Sequence, residues 1–137
     1  MEPFSIATAT VSLAIAIGQV TSSISQFVKQ MKEATNDFDL VLQELGSLSN
    51  ILDLMSANNA TTTLRDFPPH LRRQLEEVIQ DCGRAIEDIH KVLKKYQSGM
   101  LASLRWAQNG SAEVNSIRIR LEVYKSTLNI VVGFLSL

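Results

Sequence analysis

The run PFSIATATVSLAIAIGQVTSSISQFV, Pro3 to Val28, decides the fold. It carries no charge between Glu2 and Lys29. Ile6, Leu13, Ile17, Val20, Ile24, Phe27 and Met31 recur at a step of seven and then at alternating fours and threes, which puts them on one face of a helix. Pro3 sits in the first turn, where its missing N–H costs nothing. A second stripe, Thr10, Ala14, Gly18 and Ser22, is spaced four apart. Small residues at that spacing let another helix backbone come close, in water or in lipid. Glycine inside a helix costs roughly 1 kcal/mol relative to alanine, so close packing is the expected reason for Gly18.

At 1.5 Å per residue the run is long enough to cross a bilayer. Ser, Thr and Gln interrupt both ends of its apolar centre, Val11 to Ile17, where a constitutive span would be continuous. At rest it therefore reads as a core helix. Val11 and Ile15 lie off the main stripe, and no face carries charge, so this helix can enter lipid without desolvating a charged group. Thr10, Leu13, Ala14, Ile15, Ile17, Gly18 and Ser22 are the candidate residues for helix packing and membrane insertion.

Working outward, Ala34 to Asp37 breaks the pattern and offers N-cap side chains. A second helix follows with Phe38, Val41, Leu45, Leu48, Leu52 and Met55 inward, and Leu42, Ile51 and Leu54 widening its stripe. Ala57 to Thr63 reads as a loop. Pro68 and Pro69 open a third helix whose inward face is Leu71, Leu75, Val78, Cys82, Ile86, Ile89, Leu93 and Tyr96. Its other faces offer the i,i+4 pairs Arg72–Glu76, Arg73–Glu77, Arg84–Asp88 and Glu87–Lys91. Ser98-Gly99 ends or kinks it, Met100 to Gln108 is a short helix, and Asn109-Gly110 is a turn signal. Ser111 starts the last helix, with Val114, Ile117, Leu121, Tyr124, Leu128, Val131 or Val132, and Leu135 inward. The expected architecture is an all-α, up-and-down bundle of four main helices plus one short helix.

The 137 residues amount to one domain, residues 1–137, with 45% hydrophobic and 20% charged residues and a net charge of -1. This balance gives no pull toward nucleic acid. All 13 lysines and arginines lie at or after Lys29, so the opening helix lacks the basic flank of a signal peptide or presequence. The lone Cys82 permits no internal disulfide and no cysteine-based zinc site. The apolar run that stops at Leu137 reads as the N-terminal part of a longer polypeptide.

Candidate chemistry is sparse. His70 and His90 have no metal-ligand spacing, Glu87-x-x-His90 lacks partner acids on the other helices, and no glycine-rich phosphate loop is present. Cys82 falls on an apolar stripe, the place of a buried thiol rather than a nucleophile. No catalytic, cofactor or metal site is expected, and the chain does not read as an enzyme. Lys91, Lys94 and Lys95 form a modest basic cluster, with another at Arg118, Arg120 and Lys125. The bland reading is a solvated face, and the functional one is contact with anionic lipid headgroups, at roughly 1 kcal/mol per charge.

Four stretches resemble a known family. Met1-Glu2-Pro3-Phe4-Ser5-Ile6-Ala7, Leu45 to Leu52 (LGSLSNIL), Val78 to Gly83 (VIQDCG) and Leu121 to Asn129 (LEVYKSTLN) are similar in order and spacing to the HeLo-like N-terminal domains of fungal STAND (NLR-like) proteins. The likeness spans essentially the whole chain. It implies a cytoplasmic helical bundle at the head of an immune-type receptor, linked to programmed cell death and heterokaryon incompatibility. It also implies NACHT or NB-ARC-type domains downstream in the same chain. Activation would bring self-association, attachment to the plasma membrane through anionic lipids, and insertion of the N-terminal helix. The family's glycine-zipper-like pattern maps onto Thr10, Ala14, Gly18 and Ser22, of which only Gly18 is glycine. The alternative is a signalling or oligomerisation module that binds protein helices and never touches lipid.

Overall fold

Pro3 opens α1 (Pro3–Gln30), and the helix runs unbroken through Gly18 because its inward side chains keep the helical period throughout. The computed structural model describes residues 3–57, 68–97, 99 and 101–135. Met31 leaves the helix with φ -125° and ψ 77°, and a single 3₁₀ turn (Lys32–Ala34) redirects the chain into α2 (Thr35–Ala57). α3 (Pro69–Lys95) starts on Pro68, whose ψ of 142° is extended and whose carbonyl accepts from Leu71 and Arg72. Gly99 then reverses the chain at φ +126°, a conformation that L side chains resist. The short α4 (Ala102–Arg105) passes through a π turn (Trp106–Gly110) into α5 (Ser111–Leu135).

The architecture is all-α, four main helices and one short one, as the sequence predicts. α1 packs on α2 and α3, and α5 packs on the same two helices from the opposite corner. Directions alternate along the chain, but the order around the bundle is α1, α2, α5, α3. α2 and α5 are therefore parallel neighbours: Asp37 and Ser111, both at helix starts, share a hydrogen bond. α1 and α3 are also parallel neighbours, and their last turns share one cleft.

The core matches the predicted stripes closely. Ile6, Leu13, Ile17, Val20, Ile24, Phe27 and Met31 are all buried, as are Phe38, Val41, Leu45, Leu48, Ile51, Leu52 and Met55. Four expectations need correction. Leu54 is 51% exposed and widens nothing. On α3, Ile79 takes the inward position and Val78 is half-buried, and Ala85 and Val92 also face the core. Arg84 pairs with Asp81 instead of Asp88, and Lys91 approaches Asp88. Asn109-Gly110 is no turn, because the π turn carries the helical path into α5. The loop expected over Ala57 to Thr63 lies, beyond Ala57, outside the described residues.

Candidate functional site

The residues singled out on α1 divide between two faces. Leu13 and Ile17 belong to the core. Thr10 is buried, and its hydroxyl donates to the Ile6 carbonyl at 2.8 Å, closing its hydrogen bonding within the helix. Ala14 is half-buried, whereas Ile15, Gly18 and Ser22 face outward. A Cβ on Gly18 would meet nothing within 4 Å, so close packing inside this chain is not what holds a glycine there. The small-residue stripe thus meets its neighbour only at its N-terminal end. There Thr10, Val11, Ala14 and Ile15 line an open groove of about 310 Å³ with Leu52, Asp53 and Ser56 of α2.

Val11 and Ile15 are 55% and 57% exposed on the rim of this groove. On the opposite corner, Ile119, Val123 and Ile130 of α5 are similarly exposed. The outward face of α3 differs, being charged with Arg73, Glu77, Arg84, Glu87, Lys91 and Lys94. The polarity of the bundle surface is therefore divided between helices.

The basic clusters have mixed roles. Lys91, Lys94 and Lys95 are exposed at the end of α3. Lys95 donates to Glu113 at 2.7 Å, a bond that raises its pKa, and lies 5.4 Å from the Tyr96 ring centre. Lys94 lines a cleft of about 420 Å³ between α1 and α3, floored by Phe27 and Leu93 and rimmed by Gln26, Gln30 and His90. In the second cluster, Arg120 donates to Asp88 at 2.7 Å, Lys125 lies 2.9 Å from Glu44, and Arg118 pairs with Glu122. Arg120 and Lys125 therefore tie α5 to α3 and α2.

Among the described residues no group of three His, Cys, Asp or Glu side chains converges to hold a metal ion. His70 and His90 are exposed. Cys82 is fully buried, and burial, with a smaller contribution from Asp81, pushes its thiol up to about 12. At neutral pH it is a protonated core side chain.

One arrangement escaped the sequence reading. Phe27, Phe38, Tyr96 and Trp106 meet at one end of the bundle, each ring centre 5.3–5.6 Å from the next. Asp37 accepts from Trp106 Nε1 at 3.0 Å and from Ser111 Oγ at 2.9 Å, instead of simply capping α2. A signal existed: with helix directions alternating, the end of α1, the start of α2, the end of α3 and the approach to α5 all fall at the same end, and each carries one aromatic residue.

Compared with known proteins, residues 1–137 match the family model described as pigment biosynthesis cluster protein PigL N-terminal, a fungal helical domain family. Its description does not name the HeLo-like group. No curated protein and no solved structure matches the chain.

Proposed function

The chain belongs to the family of pigment biosynthesis cluster protein PigL N-terminal domains, and with that as premise we propose a membrane-targeting, cell-death-inducing effector domain of the HeLo-like kind. It acts by oligomerising and inserting α1 into lipid. The observation that carries this reading is the length and composition of α1: Ile6–Gln30, 25 residues with Lys29 as its one charge near the end, is long and apolar enough to cross a bilayer. The polar side chains of α1 add support. Thr10, Ser23 and Ser25 each donate their hydroxyl to the carbonyl four residues earlier, so these groups need no partner in hydrocarbon.

Energetics define when such a step can occur. The inward side chains Ile6, Leu13, Ile17, Val20, Ile24 and Phe27 are buried, and exposing them to water costs on the order of 10–20 kcal/mol. Withdrawal into water is closed. Transfer into lipid returns those side chains to an apolar medium and adds Val11 and Ile15, exposed in the bundle. The uncovered stripes of the remaining helices need other copies of the chain. Clustering by downstream domains at a cytoplasmic membrane surface supplies both conditions, with Lys91 and Lys94 available to anionic headgroups.

The test is dye release from anionic liposomes by the chain fused to an inducible oligomeriser. Release on clustering, lost in Gly18→Glu, is the expected result. Clustering without release overturns the membrane reading. A second reading is a helix-binding signalling module, favoured by the groove of Thr10, Val11, Ala14, Ile15, Leu52, Asp53 and Ser56. It predicts association in solution, disturbed by Ala14→Glu, with no liposome binding.

A further inference from the structure

The outward stripes of α1 and α5 are both uncharged, on a bundle whose other long helices expose charge. Along α5 the positions 112, 116, 119, 123, 126, 130 and 133 alternate by fours and threes, the spacing of a coiled-coil seam, and all are exposed. Ile119, Val123 and Ile130 are the large members, and Ser126 is a small one between them. Along α1 the matching outward line carries Val11 and Ile15, followed by Gly18 and Ser22. A surface helix ordinarily places its charged residues on this line. α3 does so, and α2 exposes Asp39 and Asp53.

We infer that the outward stripe of α1 on one copy of this chain packs antiparallel against the outward stripe of α5 on the next copy, giving a head-to-tail assembly of folded bundles. Three observations select this occupant. The two stripes lie on opposite corners of the bundle, so one copy engages two neighbours through different faces, a heterologous contact that propagates or closes into a ring. α1 and α5 run in opposite directions within the chain, so copies stacked in one orientation bring them together antiparallel, with helix dipoles opposed favourably. Size and charge also match in one register. Gly18 faces Val123, Ser22 faces Ile119, Ile15 faces Ser126, and Val11 reaches Ile130. The uncharged N-terminal turns of α1 then meet the uncharged 126–135 segment, and Lys29, in the last turn of α1, comes level with Ala112, beside the Glu113 carboxylate that Lys95 holds. The open space over Gly18 is the hole that Val123 enters.

This contact keeps α1 inside the bundle, so it stands apart from lipid insertion. Sedimentation velocity of the full chain over a concentration series tests it, without lipid. Wild type is expected to grow beyond a dimer as concentration rises, and Ile15→Glu and Val123→Glu each to sediment as monomers. Mixing the two variants leaves one intact α1 face and one intact α5 face, so the mixture should form a heterodimer and nothing larger. Gly18→Arg and Ser126→Arg, both at exposed positions, provide a second pair, and circular dichroism melts verify folding of all four. A wild type that stays monomeric, a single variant that still associates, or a mixture that stays monomeric or grows past a dimer overturns the proposal.

Discussion

The indole N–H of Trp106 donates to the Asp37 carboxylate at 3.0 Å across 69 residues of chain, and the Ser111 hydroxyl donates to the other carboxylate oxygen. One side chain in the first turn of α2 thereby fixes the π turn and the start of α5. Trp106 is 1% exposed, so its N–H loses its partner in a largely dry site if the acceptor is removed. Asp37→Ala should destabilise the chain by about 1–3 kcal/mol, the cost of a buried donor left unmade together with a lost charge-assisted bond. Asp37→Asn keeps an acceptor and should cost less. Urea midpoints followed by tryptophan fluorescence measure both, and equal losses for Ala and Asn contradict the assignment.

Two glycines make opposite predictions. A Cβ on Gly110 would run into the Trp106 ring at Cε3, Cδ2 and Cζ3. Gly110→Ala forces the indole to move and should destabilise by about 1–3 kcal/mol, as overpacking does. Gly18 is exposed with nothing within 4 Å of its missing Cβ. Gly18→Ala should stabilise α1 by up to about 1 kcal/mol through helix propensity alone. Thermal melts of the pair should shift in opposite directions, and a shared sign contradicts the packing described at one of the two sites.

Cys82 supplies a pH-dependent prediction. Its thiol ordinarily ionises at 9.0, and burial raises that to about 12 in the folded chain. Between those values the folded state holds a proton that the unfolded state has released, so unfolding becomes more favourable as pH rises. The contribution is fully present below pH 9 and is lost through the window toward 12. At neutral pH a thiol reagent should label the native chain only as fast as it opens, and labelling should become immediate in denaturing urea. Rapid native labelling contradicts the burial. Cys82→Ala should remove this part of the alkaline decline in stability.

Much of the fold is legible in the sequence because apolar period alone determines which residues face inward. The stripes of α1 and α2 contain large aliphatic and aromatic residues at unambiguous spacing, and the inward positions that this spacing predicts are all buried. On α3 the sequence does not separate Val78 from Ile79, because they are adjacent and both apolar, and only the placing of the neighbouring helices decides between them. Asn109-Gly110 has turn chemistry, yet Gly110 is required by the face of the Trp106 ring, a contact that no local pattern encodes. The small-residue stripe is legible as a stripe, but the outward position of Gly18 and Ser22 is not. Which face a helix turns to its neighbours depends on the order α1, α2, α5, α3 around the bundle, and that order is a long-range property.

The pair formed by Lys125 and Glu44 distinguishes a helix tether from surface decoration. Lys125 Nζ lies 2.9 Å from Glu44 Oε2, off the hydrogen-bonding direction, so their attraction is mainly Coulombic. The two side chains are 26% and 14% exposed, drier than the 65% and 39% of Arg84 and Asp81. An exposed pair contributes about 0–1 kcal/mol, whereas removing one partner of a buried pair costs about 3–5 kcal/mol because the other charge is left uncompensated. At intermediate burial Lys125→Met should cost about 1–2 kcal/mol, since Glu44 then faces the parallel α2–α5 contact alone. The double variant Glu44→Leu, Lys125→Met should recover most of that loss, because no charge remains to be desolvated. Arg84→Met should change stability by less than about 0.5 kcal/mol. A double-mutant cycle on urea midpoints separates these cases. If Lys125→Met proves as mild as Arg84→Met, the pair is ornamental, and the parallel α2–α5 alignment rests on the Asp37 contacts and apolar packing alone.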